Sequence, residues 1–369
     1  MESTTWWWIA FIVIFCIVYF IDMFVTGHRK GEISVKTSLR WTGLWISIAL
    51  LFGAAIYFFF PQNEGVEVNT AREMGMKFIA GYLTEYSLSV DNLFVFIMIF
   101  SMMGIASHNQ PKLLKMGILI SIVLRILFIL AGMSLVQRFE WVIYIFGAIL
   151  VYTAYKMAVS KEEDQVDPKS NILYKGASKL FPIYPDEHSS KYFVKENGKR
   201  YVTMIFLCLL VIGSTDILFA VDSIPAIIGV IAEGEQGILT VGEENFLAVS
   251  SNVFAVMGLV SLFFALKGIM GMFRFLKHGV CFILFFIGVK MLLGFSHPAA
   301  EFFHSHSWGT LAAIFDAIAK APEFLHTYSW ISLTVIVGSL ALAIILSKLI
   351  PEKKEENELT PENKEEELN

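Results

Sequence analysis

Thr84-Glu85-Tyr86-Ser87-Leu88-Ser89-Val90-Asp91-Asn92 lies inside an apolar run, and Thr215-Asp216-Ile217-Leu218-Phe219-Ala220-Val221-Asp222-Ser223 lies inside another. Both stretches read Thr, acid, five residues, Asp, then a small amide or hydroxyl. Each surrounding run is long enough to cross a bilayer, so four carboxylates stand where hydrocarbon is expected. An ionised acid at the bilayer centre costs at least ~2.5 kcal/mol on insertion scales. That cost marks Glu85, Asp91, Asp216 and Asp222 as functional candidates.

The composition agrees with a membrane protein. The chain is 56% hydrophobic, above the ~45–50% of soluble domains, and several windows of about 20 apolar residues can each span a bilayer. The formal net charge is −5, and residues 350–369, with eight Glu against three Lys, account for all of it. That Glu-, Lys- and Asn-rich end reads as solvated and disordered. No basic surface for nucleic acid remains. Cys16, Cys208 and Cys281 each lie in an apolar run, without a CxxC motif, a disulfide framework or a zinc pattern. The first apolar segment has neither a preceding basic residue nor a small-residue cleavage site, and reads as a retained helix.

Nine helices are expected, over 6–25, 41–60, 76–103, 116–136, 141–159, 201–231, 246–266, 280–295 and 330–349. Basic residues follow the odd-numbered spans: Arg29, Lys30, Lys36 and Arg40; Lys112 and Lys115; the Lys-rich segment 160–200; Lys267, Arg274 and Lys277; Lys353 and Lys354. Cytoplasmic loops are enriched in Lys and Arg, so the N-terminus is expected outside and the C-terminus in the cytoplasm. The acidic loop with Glu233, Glu235, Glu243 and Glu244 is expected to be solvated on the outer side, and Trp6-Trp7-Trp8 to anchor the first span at the headgroups. Asp22 reads as a cap or surface group near a membrane edge.

The organisation follows from those directions. Residues 1–75 hold two N-terminal spans, 76–159 a three-helix unit, and 160–200 a cytoplasmic loop of partial order. Residues 201–296 hold a second three-helix unit, 297–349 an extracytoplasmic loop and the last span, and 350–369 the acidic tail. The two units begin in opposite senses, so they read as inverted repeats with antiparallel motif helices. Tyr155-Lys156-Met157 and Val289-Lys290-Met291 are a weaker echo of the same symmetry. Transport proteins place substrates where such repeats meet, near the bilayer midplane.

An α-helix turns about 100° and rises about 1.5 Å per residue. Thr84 and Asp91 therefore share one stripe and Glu85 and Asn92 the next; Thr215 with Asp222, and Asp216 with Ser223, repeat this. Two such polar ribbons facing each other form a core of carboxylates, hydroxyls and amides. Glu85 and Asp91 are ~9 Å apart along one axis, so an ion shared between helices is the simpler arrangement. Pro225 offers no N–H to the carbonyl of Val221 and is expected to interrupt the second motif helix there, freeing an oxygen ligand. Oxygen-only donors suit hard divalent cations such as manganese, magnesium and calcium. The expected metal-binding residues are Glu85, Asp91, Asn92, Asp216, Asp222 and Ser223, with Asp91 and Asp222 as a symmetric pair and Glu85 and Asp216 as ligands or proton carriers. The metal is the transported substrate; no resident cofactor is expected.

Arg125 lies near the middle of its span and is expected to pair with a motif acid, because an isolated intramembrane Arg is costly. Lys156 and Lys290 either reach the interface by snorkelling or act as further counter-ions. The alternative for all four acids is a set of purely structural ion pairs with these three cations. His297, Glu301, His304, His306 and His326 in the outer loop read as solvated, and Met98, Met102 and Met103 as packing or lipid-facing surface. Gly117, Gly132, Gly147, Gly258 and Gly288 are expected to allow close helix packing.

At the two motif stretches, at Ser223-Ile224-Pro225-Ala226 and at Ser251-Asn252-Val253-Phe254-Ala255, the chain resembles the TerC/Alx family of integral membrane proteins. The resemblance covers essentially the whole chain. It implies nine helices in a bacterial inner membrane, an architecture related to LysE-type exporters, manganese efflux, and a historical link to tellurite resistance. The family often shows Arg after Gly-Leu in the seventh span; here Gly258-Leu259 is followed by Val260.

The reading is thus an all-α polytopic membrane protein acting as a secondary transporter that exports divalent cations, with proton antiport as the energy source because no nucleotide-binding loop is present. The alternative is a non-transporting membrane component of an envelope or tellurite stress assembly. An intramembrane aspartyl protease also uses two aspartates on neighbouring helices, but its Tyr-Asp and Gly-x-Gly-Asp pairing is absent; no enzyme is expected.

Overall fold

The computed structural model describes residues 2–27, 34–63, 65–66, 68–139, 141–159, 171–184, 191–196, 199–232, 238–269, 275–293, 295–296 and 329–350. In chain order the elements are α1 (Glu2–Gly27), α2 (Val35–Phe59), α3 (Thr70–Met102), α4 (Gln110–Arg138), α5 (Val142–Val159) and α6 (Ile172–Leu180). A hairpin of β1 (Phe193–Glu196) and β2 (Lys199–Val202) leads to α7 (Met204–Ile231), α8 (Val241–Val256), α9 (Leu259–Ile269), α10 (Leu276–Leu293) and α11 (Ser329–Leu349). The protein is polytopic, all-α and membrane-embedded. Among the described residues, seven helical stretches are long and apolar enough to cross a bilayer, α8 and α9 counting together, and two shorter apolar stretches lie in α10 and α11.

Polar caps decide where several helices begin. The Asn69 side chain accepts from the Arg72 amide, so α3 starts at Thr70 and the expected boundary at 75/76 falls inside a helix. The Thr203 hydroxyl accepts from the Phe206 amide, so α7 starts at Met204, while Tyr201 and Val202, expected in the span, belong to β2. Thr240 and Glu243 form a reciprocal capping box at α8. Glu243 also accepts from Asn63 Nδ2 at 2.9 Å and is buried, which corrects its placement in a solvated loop.

Contacts between helices fix their relative directions. Lys77 Nζ donates to the Ile231 carbonyl at 2.7 Å and Phe96 meets Phe219 with ring centroids 6.3 Å apart, so α3 and α7 are antiparallel. A Cβ on Gly117 would touch Ile212 and one on Gly132 would touch Ile228, so α4 runs parallel to α7. Gly81 lies against Ser251, and Phe100 packs on Phe263, so α3 runs parallel to α8 and α9. Between α5 and α10 the backbones nearly touch: a Cβ on Gly147 would stand 3.0 Å from the Gly288 carbonyl oxygen, and one on Gly288 would stand 2.8 Å from that of Gly147. Ala154 accepts from Cys281 Sγ further along, which makes that pair antiparallel. Every one of these relations is the one expected from strictly alternating spans.

The packing is reciprocal between the two three-span groups. The helix α3 packs on α8 as α7 packs on α4, and α5 packs on α10. Phe11, Phe52, Phe78, Phe246 and Phe254 tie α1, α2, α3 and α8 into one aromatic cluster. Trp7 joins it through Phe52 and Phe60, and Trp8 through Phe246, so only Trp6 of the tryptophan run projects outward.

Two expectations about helix breaks are reversed. The motif helix α7 is continuous through Pro225, although the ring still leaves the Val221 carbonyl without that donor. The break falls in the seventh span instead, at Met257-Gly258 between α8 and α9. Gly258 has φ +84°, and a Cβ there would lie 2.4 Å from Trp45 Cδ1. A left-handed conformation costs an L residue roughly 1–2 kcal/mol, and overpacking adds about 1–3 kcal/mol. Gly258→Ala is therefore expected to lower the melting temperature of the detergent-purified full chain by several degrees; an unchanged value would show that the break relaxes freely.

Within the segment expected to be a partly ordered loop, α6 and the hairpin are folded onto the bundle. Asn171 caps α6 through its carboxamide oxygen and donates from Nδ2 to Ser214 Oγ of α7 at 2.7 Å. Lys112 at the start of α4 sits 4.6 Å over the Tyr192 ring. The expectations for the outer-loop histidines and the acidic tail lie outside the described residues.

Candidate functional site

Arg125 on α4 joins the two motif helices. It is 2% exposed, Glu85 on α3 is 0% and Asp216 on α7 is 5% exposed. The Arg125 guanidinium pairs with Glu85 Oε1 through Nη1 and with Asp216 Oδ1 through Nη2 at 3.3 Å. Arg125 Nε donates to Ser121 Oγ at 3.1 Å, one turn back on its own helix, and Ser89 Oγ donates to Glu85 Oε1 at 3.1 Å. The expected partner for Arg125 is thus found, and it is shared by both motifs. A single positive charge bridges the first acid of each copy, so Glu85 and Asp216 are held in an ion triad, with Glu85 Oε2 and Asp216 Oδ2 left unpaired.

The second acids stand apart from that triad in register. Positions 91 and 222 belong to α3 and α7, and their side chains lie outside the described ones. The contacts Lys77 to Ile231 and Phe96 to Phe219 bracket position 91, which comes level with about position 222 on regular helix geometry. Ser223 is buried with an unpartnered hydroxyl, and Asn92 is half-buried. Thr84 and Thr215, the leading residues of the two motifs, are also buried with unpartnered hydroxyls. Among the described side chains, no three His, Cys, Asp or Glu groups converge as a metal cluster.

Lys156 is exposed at the end of α5, in line with an interfacial group, whereas Lys290 in α10 is only 5% exposed and belongs to the interior. Reasoning from charge passed over three neutral residues, of which Ser251 and Asn252 entered only through the family resemblance. Ser250, Ser251 and Asn252 on α8 are all 0% exposed, and neither their hydroxyls nor either amide atom of Asn252 has a hydrogen-bond partner. The available signal was an Ser-Ser-Asn run inside an otherwise apolar span. A second missed group is Lys77, buried at the end of α7, 3.8 Å from Glu73. It lies in the part of α3 that precedes or opens the expected span.

Comparison with known proteins supports this frame. The family model for the integral membrane protein TerC family matches residues 70–355. A Salmonella typhi protein named Alx, a proposed membrane-bound redox modulator, is 36% identical over 311 residues, 84% of this chain and 90% of its own. Its namesake from Escherichia coli K12 is 35% identical with the same coverage. An uncharacterised membrane protein of Myxococcus xanthus, STKORF319, is 36% identical over 78% of this chain and 83% of its own. No solved structure matches the chain. With buried acids on paired membrane helices and a match over most of its length, the chain belongs to the integral membrane protein TerC family.

Proposed function

We propose that the protein is a secondary transporter exporting divalent metal cations, manganese foremost, across a bacterial cytoplasmic membrane, with protons as the counter-ion. The observation that carries this is the charge balance around Arg125. It is shared by Glu85 and Asp216, so one guanidinium serves two carboxylates, while Asp91 and Asp222 add two more acids to the same helices. With Lys290 also in the interior, four motif acids face two buried cations, and an interior with acid in excess needs a cation or protons to complete it, because uncompensated buried charge is strongly unfavourable. Motif donors that are all oxygen favour a hard divalent ion. The register that brings positions 91 and 222 level supports these two acids as the pair holding the ion, with Asn92 and Ser223 beside them and Glu85 and Asp216 poised next to the path. The orientation proposed is N-terminus outside and C-terminus cytoplasmic, since the alternating helix directions agree with the alternation of basic loops.

The relatives' name favours a second reading, membrane-bound redox modulation, to which the stress-assembly alternative is the nearest. Cys16, Cys208 and Cys281 form no disulfide and lie on three different helices, α1, α7 and α10, which gives that reading no dithiol to work with. Both readings are of a membrane transporter or modulator and not of an enzyme. The deciding measurement is intracellular manganese in cells with and without the protein under manganese load. Export predicts a lower content when the protein is present; equal contents reject it.

A further inference from the structure

The seam between α5 and α10 carries a groove on its outer face. Gly147 and Gly288 let the two backbones meet, and beside them Ala148, Ala154 and Ala158 add only a methyl group each to the lining. Tyr152 and Tyr155 of α5 and Phe282 and Phe285 of α10 also line it and are 49–67% exposed. Small residues next to large, exposed rings leave a groove of about 700 Å³ with aromatic walls, lined from His278 to Leu292. In a membrane-spanning pair of helices, an exposed apolar groove opens onto lipid.

Its length and its charge identify the occupant. His278 and Leu292 lie about 21 Å apart along α10 at 1.5 Å per residue. One leaflet with its headgroups is half of a ~40–45 Å bilayer, so the groove is as long as one lipid is tall. Gly147 meets Gly288 and Ala154 meets Cys281, which brings Lys156 level with about position 279, next to His278. Both side chains are exposed, at the same end of the groove. Neither α5 nor α10 contains an Asp or Glu, so this end is basic and complements an anionic headgroup. On the orientation proposed above it faces the cytoplasm, the side on which basic pockets between membrane helices hold anionic headgroups.

We infer that the α5–α10 groove binds one anionic phospholipid, with an acyl chain between the aromatic walls and the phosphate at Lys156 and His278. The Lys156 ammonium pairs with the phosphate, a ring N–H of His278 donates to one of its oxygens, and the tyrosines sit at the headgroup level that suits their polar tips. The lipid touches a helix of each three-span group and so braces the seam between them. The inference does not depend on which ion the protein moves, or on whether it moves one.

The test is native mass spectrometry of the detergent-purified full chain, titrated with phosphatidylglycerol or with phosphatidylcholine of the same acyl chains. The wild type is expected to retain one phosphatidylglycerol about fivefold more tightly, the contribution of one basic group near an anionic surface. Lys156→Gln with His278→Gln is expected to bring the two lipids to equal affinity; both residues are exposed, so the double variant should fold as the wild type does. Ala148→Phe fills the groove and is expected to weaken both lipids by the same factor. Equal affinity in the wild type, or an unchanged preference in the double variant, overturns the inference. So does a lipid-free dimer cross-linked through Cys281 of two copies, which would give the groove to a second chain.

Discussion

Arg125→Met is expected to be the most damaging single substitution in the molecule. It leaves Glu85 and Asp216 buried without the charge that joins them. Breaking a buried ion pair by removing one partner costs about 3–5 kcal/mol, because the remaining charge stays desolvated. Two carboxylates are stranded here, so little folded protein should be recovered from detergent extraction. The physical cause can be separated from a loss of packing. The triple variant Arg125→Met, Glu85→Gln, Asp216→Asn removes all three charges while nearly keeping volume, and should recover most of the wild-type melting temperature. Failure of the triple variant to recover would show that the guanidinium's hydrogen-bond geometry, including Ser121, matters more than charge balance.

The second large effect concerns transport and not stability. Asp91→Asn and Asp222→Asn, made singly, should each bring manganese export down to background, as measured by flux in liposomes. The two positions are level in the register of α3 and α7, so each substitution removes one of the charges proposed to hold the ion. The amide that replaces each carboxylate keeps the size and an oxygen donor, so protein yield should change little. Full activity in both variants would move the site elsewhere, with the Arg125 triad as the first place to look.

Much of the fold could be read from the residues, because hydrocarbon length and loop charge act locally and in sequence order. The alternating directions of the spans follow from Lys and Arg placement, and the contacts of Lys77, Phe96, Gly117 and Cys281 reproduce them. Arg125 was legible as a partner because a charge in an apolar run must be answered. Its two-helix reach was not, since that depends on how α4 crosses the motif helices. Gly258 packs closely, as expected, but its break went unforeseen, and Pro225 misleads, for a shared reason. Whether a proline breaks a helix or a glycine turns left-handed is settled by neighbours, here Trp45 against Gly258, and neither residue announces that contact. Asn252 stood out only within a stretch that resembles the family, because carboxylates outweigh an amide in any reading by charge; its burial without a partner depends on the packing of α8.

The reciprocal packing of the helices has a mechanical consequence. α3 lies on α8 and α7 lies on α4, so each three-span group is threaded into the other, and Gly147 and Gly288 press the α5 and α10 backbones together. Helices interleaved in this way share one core, so moving one group against the other would disturb contacts on which both rely. On the transport reading proposed above, opening toward one side and then the other would draw on bending within single helices. The unwound step at Met257-Gly258 in the seventh span supplies a joint for such bending.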